Sequence, residues 1–171
     1  MHIIRLRGPW QVEAVARFVP LPDGSYRPDH DNLPVAARMT MPADWSAVCG
    51  ADFLGRVRYR RAFNKPTGLE SGERVFLVVE RPRSWGRGEL NGKPLGDVAR
   101  GESMGRFDVT AILEPHNQLE ILVEHPALDG AFPAQDDGDL DAPGGLVGEV
   151  WLEIEEWTNH RDTEDTEKSS K

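Results

Sequence analysis

Cysteine is almost missing. Cys49 is the single thiol in 171 residues, so the chain offers no internal disulfide framework and no thiolate metal cluster. Positive charge is also in short supply: 20 basic side chains face 29 acidic ones, giving a net charge of -9. Such a surface repels phosphate backbones and anionic lipid, which excludes nucleic acid and the membrane surface as expected partners. No apolar run approaches the roughly 20 residues of a membrane span. The opening Met1-His2-Ile3-Ile4-Arg5-Leu6-Arg7 breaks its apolar residues with charge and lacks the continuous core of a secretory signal. The expectation is a soluble, cytoplasmic protein. The five histidines are scattered without metal-ligand spacing, and no long amphipathic helical pattern occurs.

What the chain does have is punctuation. Its 13 prolines and 17 glycines are spread throughout and cut it into segments of strand length, an all-β rhythm. Leu119, Ile121 and Val123 alternate with Glu120 and Glu124, predicting one buried and one wetter face. Val150, Leu152 and Ile154 repeat the pattern, with Trp151 on the opposite face and Trp157 also falling outward. Val75 to Val79 is apolar on both faces, as suits a central strand of a sandwich. Further strands are expected over Ile3 to Arg7, Gln11 to Phe18, Ala36 to Met41, Val57 to Phe63 and Ser84 to Leu90.

Asn91-Gly92 supplies the two positive-φ positions of a tight hairpin flanked by Leu90 and Lys93. Asp108 to Leu113 reads as one short helical turn capped by an Asp or Thr oxygen. Residues 1–157 fit one domain, and a chain of this size buries roughly 70% of its unfolded surface without staples. The polar run from 158 to 171 has nothing to bury and is expected to be a disordered tail.

Several segments, taken in order, resemble the N-terminal domain of family 2 glycoside hydrolases, the group of β-galactosidases, β-glucuronidases and β-mannosidases. They are LRGPW (Leu6 to Trp10), PADW (Pro42 to Trp45), YRRAF (Tyr59 to Phe63), LNGKPLG (Leu90 to Gly96) and FDVTAIL (Phe107 to Leu113), followed by Leu119 to Val123 and Gly145 to Glu153. The match runs over residues 3 to 155. It implies a two-sheet jelly-roll sandwich of the galactose-binding-domain type, with Trp10 and Trp45 in the core. In that family the catalytic glutamate pair sits on a separate barrel that these residues do not encode, so no catalytic residue is carried over. Two departures stand out. Gly86 and Gly88 occupy positions that are usually apolar, predicting a bulge or a groove, and Gly145-Leu146-Val147-Gly148 replaces the usual start of the last strand.

Candidate site residues gather before the hairpin and before the last strand. Trp85, flanked by Arg83 and Arg87, has the chemistry of a sugar platform: an aromatic face for the apolar side of a ring, charged neighbours for its hydroxyls. The bland alternative is edge packing with snorkelling arginines. Glu102 joins Arg83 and Trp85 in the candidate sugar-binding set. Asp139, six residues before Gly145, falls by the resemblance where β-galactosidases place an aspartate contacting galactose and sodium. Asp137, Asp139 and Asp141 alternate as hard oxygen donors for calcium or sodium, although the spacing fails the EF-hand pattern and suits a solvated acidic loop as well.

Gly101-Glu102-Ser103-Met104-Gly105 matches the nucleophile-elbow pattern, and His116, His125 and His160 follow it, but no helix of sufficient length comes after. Alternation also splits Arg60 from Arg61, one of which is expected in a buried or half-buried ion pair.

Three readings stay open. The leading one is a non-catalytic carbohydrate-binding module. The second is a β-sandwich that docks a protein partner or a second copy through Trp151, Trp157 or a sheet edge. The third is the accessory chain of a split glycosidase.

Overall fold

The computed structural model describes residues 1–80, 82–99, 104–128 and 140–157. Their strands are β1 (His2–Arg5), β2 (Trp10–Pro20), β3 (Tyr26–Asp29), β4 (Ala37–Met39), β5 (Gly55–Asn64), β6 (Glu73–Glu80), β7 (Trp85–Leu90), β8 (Lys93–Ala99), β9 (Met104–Asp108), β10 (His116–His125) and β11 (Val150–Glu156). A single helical turn, α1 (Ser46–Cys49), and a 3-10 turn at Thr110–Ile112 complete the described elements. The strands expected from the residues are all present with ends shifted by one to three positions, while β3 and β9 were not anticipated.

Two antiparallel sheets form the expected all-β, jelly-roll sandwich. One has the order β1-β11-β6-β9. The other runs β3-β2-β5-β10-β7-β8, with β4 also paired to β2. Between them lies the core: Trp10, Val12, Val57, Tyr59, Leu119, Ile121 and Val123 from one sheet meet Val75, Leu77, Val79, Val150, Leu152 and Ile154 from the other. Trp10 and Trp45 are fully buried, and each satisfies its indole N–H, Trp10 on the Leu6 carbonyl at 2.6 Å and Trp45 on the Phe53 carbonyl at 3.2 Å.

Local chemistry fixes the register. Asn91 (φ 51°) and Gly92 (φ 77°) form the predicted hairpin turn, with Leu90 opposite Lys93. Asn91 also ties three segments together: its amide donates to the Ile112 carbonyl and to Asn117 Oδ1, and its oxygen accepts from the Gln118 N–H. The expected helical turn is there, and Asp108 Oδ1 accepts from both the backbone and the hydroxyl of Thr110. Of the two outcomes foreseen for Gly86 and Gly88, the bulge is the one observed, at Gly88/Glu89.

Val75 to Val79 is buried on both faces, as expected. Its outer cover comes from within the sheet: Arg106 stacks over the Phe76 ring at 3.5 Å, and Val78 lies in register between Trp151 and Arg106. On the outer face of the larger sheet, Arg58 and Arg60 each meet Glu120 at 3.1 Å, and Glu13 faces both. Arg60 thus takes the ion pair anticipated for one of the two arginines. Arg61 points inward, on the same face as Val57 and Tyr59, and donates to the Pro9 carbonyl at 3.1 Å.

One expectation needs correcting. Glu124 lies on the face predicted to be wet, yet it is 1% exposed. The chain after β10 turns back over it: the Leu128 N–H reaches Glu124 Oε2 at 3.2 Å, and the Ala127 N–H reaches Ser84 Oγ at 3.1 Å. Arg56 neutralises the covered carboxylate at 2.5 Å. Alternation identifies which face a side chain takes, not what later crosses that face.

Candidate functional site

The Gly144-Gly145-Leu146 segment lies against the end of the core, and the two glycines make this approach possible. A Cβ on Gly144 would sit 2.6 Å from Trp45 Cη2 and 2.8 Å from the His125 Cβ. Gly145 has φ +132°, and a Cβ there would meet the Trp45 nitrogen and the Tyr59 hydroxyl at 3.0 Å each. Backbone hydrogen bonds fasten the segment on both sides: Trp45 N–H to the Gly144 carbonyl, Ala43 N–H to the Leu146 carbonyl, and Arg83 N–H to the Gly145 carbonyl, all between 3.0 and 3.1 Å. The last bond brings the segment before β7 to the segment before β11, the two stretches singled out from the residues.

Polar groups converge there. Asp44 Oδ1 accepts from the Ser46 hydroxyl at 2.5 Å and the Ser46 N–H at 2.9 Å. Those bonds, helped by the charge of Arg83, hold the Asp44 carboxyl below its ordinary range. Arg83 is half-buried, and its Nε is enclosed with no hydrogen-bond partner among the described residues. The Tyr59 hydroxyl is enclosed as well, with no well-aligned hydrogen bond among the described residues. Burial, with Cys49 and Asp44 nearby, pushes its pKa up. His125 is fully buried against the edge of Trp45, ring centroids 6.3 Å apart, and its Nε2 lies 3.2 Å from the Ala142 carbonyl, so that nitrogen carries the proton.

Of the residues expected from the sequence, Arg83 is at this end and Trp85 opens β7 two residues on. Trp85 is only 2% exposed, so its ring does not present the open face expected of a sugar platform. It sits in register beside Glu124 on the outer face, in the row covered by the returning 126–128 segment, with the Arg87 guanidinium 5.1 Å from its centroid. An arginine lies over the ring, as in the bland alternative, but β7 runs between β10 and β8 and is not an edge strand. Asp141 is exposed, whereas Glu102, Asp137, Asp139 and Ser103 lie outside the described residues. Among the described residues no group of three or more His, Cys, Asp or Glu side chains could hold a metal ion. Met104 and Gly105, the described part of the elbow-like motif, open strand β9 rather than a helix.

Asp44 and Gly144 were not singled out as site residues, Tyr59 was weighed only with its neighbours as a basic edge for a ligand, and His125 only in the elbow-like pattern. Two of them lie inside recognised motifs, PADW and YRRAF, which read as core from the sequence. What marks them as a site is the glycine segment lying on them, a tertiary contact that no local pattern announces.

The fold is a two-sheet jelly-roll β-sandwich of the galactose-binding-domain type, and the solved structures it resembles are glycosidases. No protein-family model matches the chain, and no curated protein matches it by sequence. Among solved structures it is similar to the FMN-binding β-glucuronidase from Faecalibacterium prausnitzii L2-6, at 28% identity and a TM-score of 0.65, over 90% of this chain and 22% of that one. It is also similar to the Bifidobacterium dentium β-glucuronidase complexed with coumarin-3-O-glucuronide (20% identity, TM-score 0.64, 91% of this chain and 30% of that one). A third similar structure is a glycosyl hydrolase family 2 member from Bacteroides cellulosilyticus (15% identity, TM-score 0.59, 90% and 21%). The chain's structural neighbours are family 2 glycosidases, and it spans between 18 and 30% of their lengths. Among the described residues no helix is long and apolar enough to cross a membrane.

Proposed function

We propose that the chain is a non-catalytic carbohydrate-binding module whose ligand end is the Gly145 segment with Arg83 and Asp44. The observation that supports this most directly is the enclosed, unbonded Arg83 Nε beside an ionised carboxylate, at one end of a sandwich shared with family 2 glycosidases. A donor and an acceptor side by side can read neighbouring hydroxyls of a sugar. Glu102 and Asp139 supply further contacts in this reading, and Trp85, which is buried, does not stack on the ligand. Asp137, Asp139 and Asp141 belong to the same proposal as a calcium- or sodium-binding loop that orders the ligand end. The module works in a reducing, cytoplasmic setting, where Cys49 stays an unpaired thiol.

The test is a saturation-transfer NMR screen against galactosides, glucuronides and mannosides, run with the native chain, with Arg83→Gln, and after calcium removal. Transfer that is lost in Arg83→Gln supports the proposal. A folded protein silent across the panel contradicts it and favours the docking reading. One observation speaks for that second reading: Trp157 is 46% exposed, with the Arg74 guanidinium stacked 3.9 Å from its ring centroid at the end of β11.

A further inference from the structure

A cavity opens on another side of the sandwich, where the two sheets part. It encloses about 470 Å³ and is bounded by Ile4, Arg5 and Leu6 from β1 and its exit, by 61–64 of β5, by 116–118 of β10 and by Leu152 of β11. That volume lies within the roughly 300–1,000 Å³ of small-molecule sites. Its floor is apolar, with Leu6, Phe63 and Leu152, while Arg61, Asn64, His116 and Gln118 line it with hydrogen-bonding groups.

Arg61 is the unusual residue. It continues the inward-facing set after Val57 and Tyr59, a position where alternation calls for an apolar side chain. It has no carboxylate within salt-bridge distance among the described residues, although the chain carries a net charge of -9 and the outward Arg56, Arg58 and Arg60 are all paired. Among the described residues its one hydrogen bond goes to the Pro9 carbonyl, and its Nε is enclosed without a partner. Arg5, on the same rim, has Glu149 only at 3.8 Å. His116 Nδ1 donates to Asn64 Oδ1 at 2.8 Å, which leaves Nε2 as an acceptor suited to a ligand hydroxyl and not to its carboxylate.

A planar guanidinium fork in a half-enclosed, partly apolar cleft, with amide and imidazole groups around it, matches the demands of a carboxylate on a compact body. The geometry points to a binding site for a small carboxylate ligand at Arg61, separate from the Arg83 end and independent of whether that end binds sugar. Such a carboxylate could belong to a uronic acid or to a simple organic acid, and the two are separable by experiment.

The measurement is a chemical-shift titration of the native chain, following backbone amides and arginine Nε–H groups, with sodium glucuronate, sodium benzoate and glucose as probes at constant ionic strength. Glucuronate or benzoate should move Arg61 Nε–H with the amides of Asn64 and Gln118, and glucose should not. Preference for glucuronate assigns a uronide, and preference for benzoate an organic acid. Arg61→Gln should weaken binding roughly ten- to hundredfold, the equivalent of losing a charge-assisted hydrogen bond. His116→Ala, at an exposed position that leaves the core intact, should weaken glucuronate binding by a smaller factor and leave benzoate binding unchanged. No shift with either carboxylate, equal shifts with glucose, or unaltered affinity in folded Arg61→Gln would overturn the assignment.

Discussion

Replacing Gly144 by alanine tests the packing that builds the Arg83 end. The added methyl would lie 2.6 Å from Trp45 Cη2, closer still to the neighbouring Cζ2, and 2.8 Å from the His125 Cβ, well inside van der Waals contact. Neither neighbour yields easily, since Trp45 is fully buried, donates to the Phe53 carbonyl at 3.2 Å and packs edge-on to Phe53 at 5.7 Å. Overpacking of this kind costs about 1–3 kcal/mol. At ~2–4 °C per kcal/mol for a chain of this length, Tm should fall by roughly 2–12 °C. Thermal unfolding followed by circular dichroism reads that directly. The sharper assay is a double-mutant cycle with Trp45→Phe, which is itself destabilising but removes the ring atoms that the methyl strikes. The alanine should then cost much less in the Trp45→Phe background, a coupling of at least about 0.5 kcal/mol. Strict additivity, or an unchanged Tm in Gly144→Ala, would refute the claim that this segment is seated on Trp45.

Other consequences can be checked in the same way. Arg56→Met strands the covered Glu124 carboxylate and should cost about 3–5 kcal/mol by urea unfolding at neutral pH, whereas a cost below about 1 kcal/mol would mean that Glu124 is not buried as described. Asn91→Gly keeps the positive φ but deletes three side-chain hydrogen bonds; it should destabilise by roughly 1–3 kcal/mol, and a neutral outcome would show that the turn alone holds the hairpin. Asp44 has a folded-state pKa below its unfolded value, so its contribution is full above the ordinary carboxylate pKa of about 4 and is lost as pH falls through the folded value. The Tm gap between native chain and Asp44→Asn should therefore close on acidification, and a gap that widens toward low pH would contradict the sign.

The sandwich was legible in the residues because its signals are local. Asn91-Gly92 demands a tight turn wherever it stands, and the two-faced run Val75 to Val79 is intelligible only as a covered central strand. The core tryptophans, Trp10 and Trp45, were legible through their motifs. The site was less so. Trp85 shares the outer face of β7 with Arg87 and Glu89, and nothing in the alternation shows that it is buried there or that 126–128 return to Ser84 and Glu124 beside it. Gly144 looked like loop punctuation, while its role depends on a ring at position 45 nearly a hundred residues earlier. Arg61 was separated correctly from Arg60 by the period of two, yet the cavity it faces is completed by β1 and Leu152 of the opposite sheet. Long-range crossings of this kind leave no periodic trace in sequence.

The most direct test of carbohydrate binding at the Arg83 end is a chemical-shift map of the native chain during titration with the best glycoside from the saturation-transfer screen. The expected result is a set of saturable shifts centred on Asp44, Arg83 and Gly144 to Leu146, absent in Arg83→Gln. Shifts confined to the Arg61 cavity or to Trp157, or no saturable shift with any glycoside, would contradict it.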